Sequence, residues 1–224
     1  MTIVHGMMPT PMPHAPAGDA DPWRTAVLEP LLRGLAHALA NRATALDGLA
    51  VEVGEGRSPA GELAAELHAE VARLLAVHRD LRALLPDGAG EEPADLRDLA
   101  QEAASVAACW PAGSLAPAMV AGDAPAVRVV RSAAVRVIVG MLVHVGPGAP
   151  APEVVLGGDE MAATLRVTRG DRTAPRDEGA PAWREQVAAQ ARAMGGEVDW
   201  GAGSAELRLP SLRALRAAAT GQAT

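Results

Sequence analysis

Leu31-Leu32-Arg33-Gly34-Leu35-Ala36-His37-Ala38-Leu39-Ala40-Asn41-Arg42-Ala43-Thr44-Ala45-Leu46 is the stretch that decides how this chain is read. Leu28, Leu32, Leu35, Leu39, Leu46 and Leu49 recur at steps of three, four and seven, the spacing of one helix face. His37 lies two positions from both Leu35 and Leu39, so it leaves the stripe and points to solvent. Asn41, one turn later, shares its side of the helix. An exposed imidazole on a rigid helix is available for chemistry.

Residues 23 to 53 read as one long helix, with Pro30 near its start, where a proline is tolerated or gives a mild kink. Gly54 to Pro59 reads as a turn, with Ser58 as the N-cap of a second helix and Pro59 at its first position. That helix runs to about Leu85 on a seam of Leu67, Val71, Leu74, His78, Leu81 and Leu85, and Pro86-Asp87-Gly88 stops it. Two long helices joined by a short turn make an antiparallel hairpin. One hairpin cannot cover both apolar stripes; two hairpins in a four-helix bundle can, so a homodimer is expected.

Residues 87–94 read as a polar linker, after which the pattern changes. Helices are expected over 95–108, 133–145 and 182–194. Strands are expected over 127–130, 153–157, 161–168, 197–200 and 205–209, with Gly157-Gly158-Asp159 and Gly201-Ala202-Gly203-Ser204 as hairpin turns. Residues 169–181 read as a polar loop. Helices mixed with mostly antiparallel strands indicate a two-layer α/β sandwich over 95–210, so the whole is α+β. Residues 1–22 and 211–224 are expected to be tails, the first of them disordered.

Composition removes several functions. All 20 basic residues are arginine, which rules out a lysine-bearing P-loop, a lysine Schiff base and a protein-kinase lysine. A net charge of −7 argues against nucleic acid as a partner. No apolar run is long enough for a membrane span. Cys109 is alone, so no intrachain disulfide forms; beside Trp110 it reads as a small buried hydrophobe, and a cytoplasmic setting is expected. With neither Tyr nor Phe, the aromatic content is Trp23, Trp110, Trp183 and Trp200. His5 and His14 fall in the tail, and His68 and His78, ten apart, lie on different helix faces. His78 reads as a seam residue and His144 as a hydrogen-bonded core residue.

The segment around His37 resembles the phospho-acceptor helix of two-component histidine kinases, where a histidine is followed by an acid, then an apolar residue, with Asn or Thr four places after it. His37 matches the acceptor and Asn41 the polar residue; Ala38 departs, standing where Asp or Glu is usual. Later segments fall in the order of that family. Glu92 to Leu99 resembles the entry to its ATP-binding domain, Ala191 to Val198 its last helix and glycine pair, and Leu207 to Pro210 its closing strand. The resemblance implies a dimerisation and phospho-acceptor hairpin over 23–86 and an ATPase-like sandwich over 95–210.

It also shows what is missing. The helix that should offer a magnesium-binding asparagine has Gly140 and His144 there. The Asp-x-Gly turn that should recognise adenine has Thr168 in place of the aspartate. The glycine-rich lid is replaced by Asp177-Glu178-Gly179-Ala180-Pro181, whose carboxylates would repel phosphate. The domain is therefore read as degenerate, with no cofactor in this chain. Attack on ATP benefits from a neighbouring carboxylate, which Ala38 does not supply. Attack on an acyl phosphate asks mostly for positioning and charge stabilisation.

The resulting expectation is a histidine phosphotransferase. His37 takes a phosphoryl group from the aspartate of one receiver domain and passes it to another. Asn41 orients the ring, and Arg42 helps neutralise the transferring group. Magnesium comes with the receiver. A hybrid histidine kinase is a possible further partner. Taken alone, an exposed helix histidine needs no function, and Arg42 is an ordinary solvated charge; the family pattern is what raises them. Two other readings fit the same residues: a non-catalytic pseudokinase scaffold regulating a two-component pathway, and an active sensor-kinase core.

Overall fold

The computed structural model describes residues 21–55, 60–85, 90–110, 115, 120–146, 151–169 and 181–221. The turn at 56–59 with its Ser58 cap, the 86–89 stop, the 177–180 lid and residues 1–20 lie outside the described residues.

The chain opens on a π-helical turn, Arg24–Leu28, that runs into α1, Glu29–Glu55. Pro30 is the physical reason. It has no N–H to give the carbonyl one turn back, and its ring crowds that carbonyl, so the preceding turn widens until Glu29 N–H reaches Arg24 O. Helix α2, Ala60–Leu84, returns antiparallel to α1. The α/β part follows: β1 Glu92–Ala94, α3 Leu96–Ala107, β2 Val120–Ala121, β3 Val127–Val129 and α4 Arg131–Val145. Then come β4 Glu153–Gly158, β5 Ala162–Thr168, α5 Ala182–Ala193, β6 Glu197–Gly201, β7 Ser204–Pro210 and α6 Leu212–Ala219.

Five strands form one sheet in the order β2-β4-β5-β7-β6, antiparallel except for the β2–β4 pair. Val154, Leu156, Leu165, Val167, Leu207 and Leu209 alternate into the core, against Leu99, Ile138, Met141, Leu142 and Val187 of the helices. The fold is α+β: a helical hairpin followed by an α/β sheet domain.

Three expectations change. The linker over 87–94 ends in a strand: β1 pairs antiparallel with β3, Ala94 opposite Val127. Residues 211–221 are not a tail; Ser211 is buried, its hydroxyl caps α6 at Ala214 N–H, and Val127 bridges to it. The turn after β4 starts two residues later than expected, because Gly157 and Gly158 (φ +140° at Gly158) still belong to the strand. There the Asp159 carboxylate accepts from the N–H groups of Ala162 and Met161, which hold it below the usual carboxylate range.

The base of the hairpin is built into the α/β domain. Val27, Leu31, Leu35, Ala83 and Leu84 belong to one core with Leu96, Leu99, Ala103 and Val106. Thus the buried stripe is Val27 of the π-helical turn with Leu31 and Leu35 of α1; it shares Leu35 with the expected stripe, whose Leu39 is 48% exposed. Burying Leu31 fully is worth about 2 kcal/mol. Gly34 lets α1 approach the Cys109 carbonyl so closely that a Cβ would fall 1.7 Å from its oxygen. Cys109 itself is half-buried, and burial, with the nearby Asp80 charge, pushes its thiol up, so it stays protonated at neutral pH.

Asp80 closes the same joint. It is 5% exposed, and both its oxygens accept from Ser105 Oγ on α3 at 3.0 Å. Burial raises its pKa; the Ser105 hydroxyl and Arg79 pull it back, and Glu102 raises it further. A carboxyl raised in the native state stabilises most below the unfolded value of 3.8, and that contribution is lost as pH rises through the folded value. Asp80→Asn keeps the Ser105 bond without the charge. Thermal unfolding should find it more stable than the parent at pH 7, with the gap closing toward pH 4.

Candidate functional site

His37 and Asn41 stand exposed on α1, one helical turn apart, and the Asn41 amide Nδ2 lies 3.3 Å from His37 Nε2. Gly34, one turn before His37, is the point at which α1 is pressed on Cys109. The histidine is therefore carried just beyond the rigid joint between hairpin and domain.

Arg42 does not join this pair. Its guanidinium reaches across to α2, with Nη1 3.4 Å from Glu70 Oε2. Glu70 is buried and also takes Arg73 at close range. Arg42 thereby ties α1 to α2, while Arg73 pairs with the same carboxylate from within α2. Sequence reasoning missed Glu70. The signal was present in Leu63, Leu67, Glu70, Leu74, Val77, Leu81 and Leu84, which step by four and three along α2 with the acid inside the series.

Within the single chain the seam of α2 is only partly as expected. Leu63, Glu70 and Leu84 are buried and Leu74 and Leu81 half-buried, whereas Leu67, Val71, His78 and Leu85 are exposed. His78 is thus not a buried seam histidine. An apolar groove of about 600 Å³ runs between the two helices, lined by Leu32, Leu39, Leu74, Leu75 and Leu81, with His78 at its edge. His68 folds back to its own helix, Nδ1 donating to Ala64 O at 2.8 Å. Among the described residues no cluster of three or more His, Cys, Asp or Glu could hold a metal ion, and no helix is long and apolar enough to cross a membrane.

In the α/β domain, α5 lies directly on α4 where an asparagine was sought. A Cβ on Gly140 would sit 2.8 Å from Val187 Cγ2 and 3.7 Å from Trp183. His144 is half-buried and hydrogen-bonded as expected: Nε2 donates to Gly201 O at 2.9 Å and lies 3.1 Å from Ser204 O. Its ring meets Trp200 edge-on at 5.0 Å, and Trp200 meets Trp183 likewise at 5.9 Å. The Arg184 guanidinium stacks over both tryptophans at about 6 Å. Thr168 closes β5, paired with Ser204.

No family model and no curated protein sequence matches the chain. Among solved structures it is similar to the ATP-binding domain of PrrB from Mycobacterium tuberculosis, at 20% identity over 54% of this chain and 97% of that one, TM-score 0.39. It is also similar to the Acinetobacter baumannii histidine kinase AdeS, at 15% identity over 78% and 96%, TM-score 0.36. A bacterial phosphotransferase matches at 15% identity over 80% and 93%, TM-score 0.41.

Proposed function

We propose that this chain is a histidine phosphotransferase, relaying a phosphoryl group between receiver-domain aspartates through His37 without autophosphorylating from ATP. The observation that carries the reading is the Asn41–His37 pair on the open face of α1. An amide N–H only donates, so Nε2 accepts, and a neutral ring accepting at Nε2 carries its proton on Nδ1. The nucleophilic lone pair is thereby placed at the outer end of the ring.

In the transfer, Asn41 releases Nε2, whose lone pair attacks the phosphorus of the partner's aspartyl phosphate. The N–P bond forms as the acyl P–O bond breaks, and the aspartate leaves as a carboxylate. The ring holds the positive charge until Nδ1–H passes to water or the reverse step runs toward a second aspartate. The freed Asn41 N–H can donate to a phosphoryl oxygen. Arg42 would reach that oxygen only by leaving Glu70, so its part in this reading is to position α1 on α2. Magnesium, in this scheme, belongs to the receiver.

The contact of Val187 and Trp183 with Gly140 supports the nucleotide-free half of the proposal, because it occupies the face of α4 where the resemblance sought a magnesium-binding asparagine. The test is incubation with a phosphorylated receiver and, separately, with labelled ATP. Acid-labile label should move from the receiver to the chain and none from ATP. Binding without transfer would favour the scaffold reading.

The protein is proposed to act as a homodimer. Leu39, Leu67, Val71 and Leu75 stand 42–60% exposed along one side of the hairpin, beside the apolar groove. A second hairpin laid there completes a four-helix bundle. Light scattering should return twice 22.9 kDa. Leu75→Glu should give a folded monomer, since Leu75 is 60% exposed in the single chain and its loss touches little else.

A further inference from the structure

A second hollow, of about 290 Å³, opens where α2 meets the middle of α3 and the start of α4. Its wall carries His78, Arg79 and Arg82 from α2, Glu102 from α3, and Arg131 and Ser132 from α4. Three guanidinium groups face one carboxylate, in a chain whose net charge is −7. Glu102 is already committed: Arg131 donates to one of its oxygens from both Nε and Nη2 at 2.8 Å. Asp80, which Arg79 stabilises as a carboxylate, is buried and takes the Ser105 hydroxyl. Among the described residues, Arg79 and Arg82 make no ion pair. The wall also holds the first two residues of the 15-residue α4, whose N-cap, Val130, offers no side chain to the first-turn N–H groups. That end adds about half a positive charge.

We propose that this hollow is a binding site for a phosphate-class oxyanion, a phosphomonoester or a diphosphate. The Arg79 and Arg82 guanidiniums supply charge-assisted donors from α2, and the start of α4, which has no side-chain cap, supplies charge from the opposite wall. A group of this size fits one or two phosphoryl units and no more than a small organic remainder, because larger ligands need roughly 300–1,000 Å³. The bound anion bridges α2 to α4, so it fastens the hairpin to the α/β domain. None of this depends on His37 being a phospho-acceptor.

The test is calorimetric titration of the full chain with inorganic pyrophosphate, and then inorganic phosphate, at matched ionic strength without divalent metal. Saturable binding of one pyrophosphate per chain is expected, with phosphate weaker. Arg79→Gln with Arg82→Gln should raise the pyrophosphate Kd by about tenfold or more. Glu102→Gln, which removes the one carboxylate on the wall and frees Arg131, should lower it several-fold, a gain that loss of folding cannot mimic. No saturable binding, or a Kd indifferent to these variants, overturns the site. Persistence of the binding in His37→Gln would separate it from the relay reading.

Discussion

His37→Gln should reduce phosphoryl transfer from a receiver by at least about 10³-fold while leaving unfolding temperature and dimer size where they were. The side chain is exposed, and its one hydrogen bond among the described residues is to Asn41, so the fold loses little. Glutamine keeps the length and the capacity to hydrogen-bond with Asn41. It lacks a nucleophilic lone pair, because the amide nitrogen's electrons are delocalised into the carbonyl. Acid-labile label on the chain, followed over minutes after mixing with phosphorylated receiver, is the measurement. Full transfer in the variant would move the acceptor elsewhere. His68 and His78 are the other exposed histidines of the hairpin, but His68 is folded onto Ala64 O and His78 borders an apolar groove. Neither has an amide partner one turn away that fixes its tautomer.

The hairpin and the α+β order were legible from period and punctuation alone, because steps of three and four in leucine and a period of two in valine have few other solutions. What period could not decide was which of two apolar stripes turns inward. The first helical segment carries the expected Leu28-Leu32-Leu35-Leu39 and also Val27-Leu31-Leu35, which share Leu35, and the packing of Gly34 on Cys109 selects the second. On α2 the charge of Glu70 hid a seam position, since burial of an acid is rational only once Arg42 and Arg73 are known to reach it. Strand β1 was lost in a polar linker because its partner β3 lies more than thirty residues away. The exposure of His37 and its pairing with Asn41 follow from spacing, whereas the commitment of Arg42 to Glu70 is a long-range contact that no local pattern carries.

Gly34→Ala should be the most damaging small substitution in the hairpin. In an ordinary helix interior, alanine in place of glycine gains up to about 1 kcal/mol. At Gly34 the new Cβ would fall 1.7 Å from the Cys109 carbonyl oxygen and 2.9 Å from its carbon. Those are backbone atoms following α3, so no flexible side chain can yield; α1 or the loop must move. Overpacking of this kind costs about 3 kcal/mol or more, which outweighs the propensity gain and leaves a net loss of roughly 2–3 kcal/mol. For a chain of this size the unfolding temperature should fall by roughly 4–12 °C. Gly48→Ala is the matched control. Gly48 sits in the same helix with nothing within 4 Å of its would-be Cβ, so its variant should melt slightly higher than the parent. Because His37 rides one turn beyond Gly34, displacement of α1 should also slow transfer, but less than loss of the imidazole does. Equal melting of the two variants would mean that α1 does not lie against Cys109 in solution. The placement of His37 over the joint would then have no support.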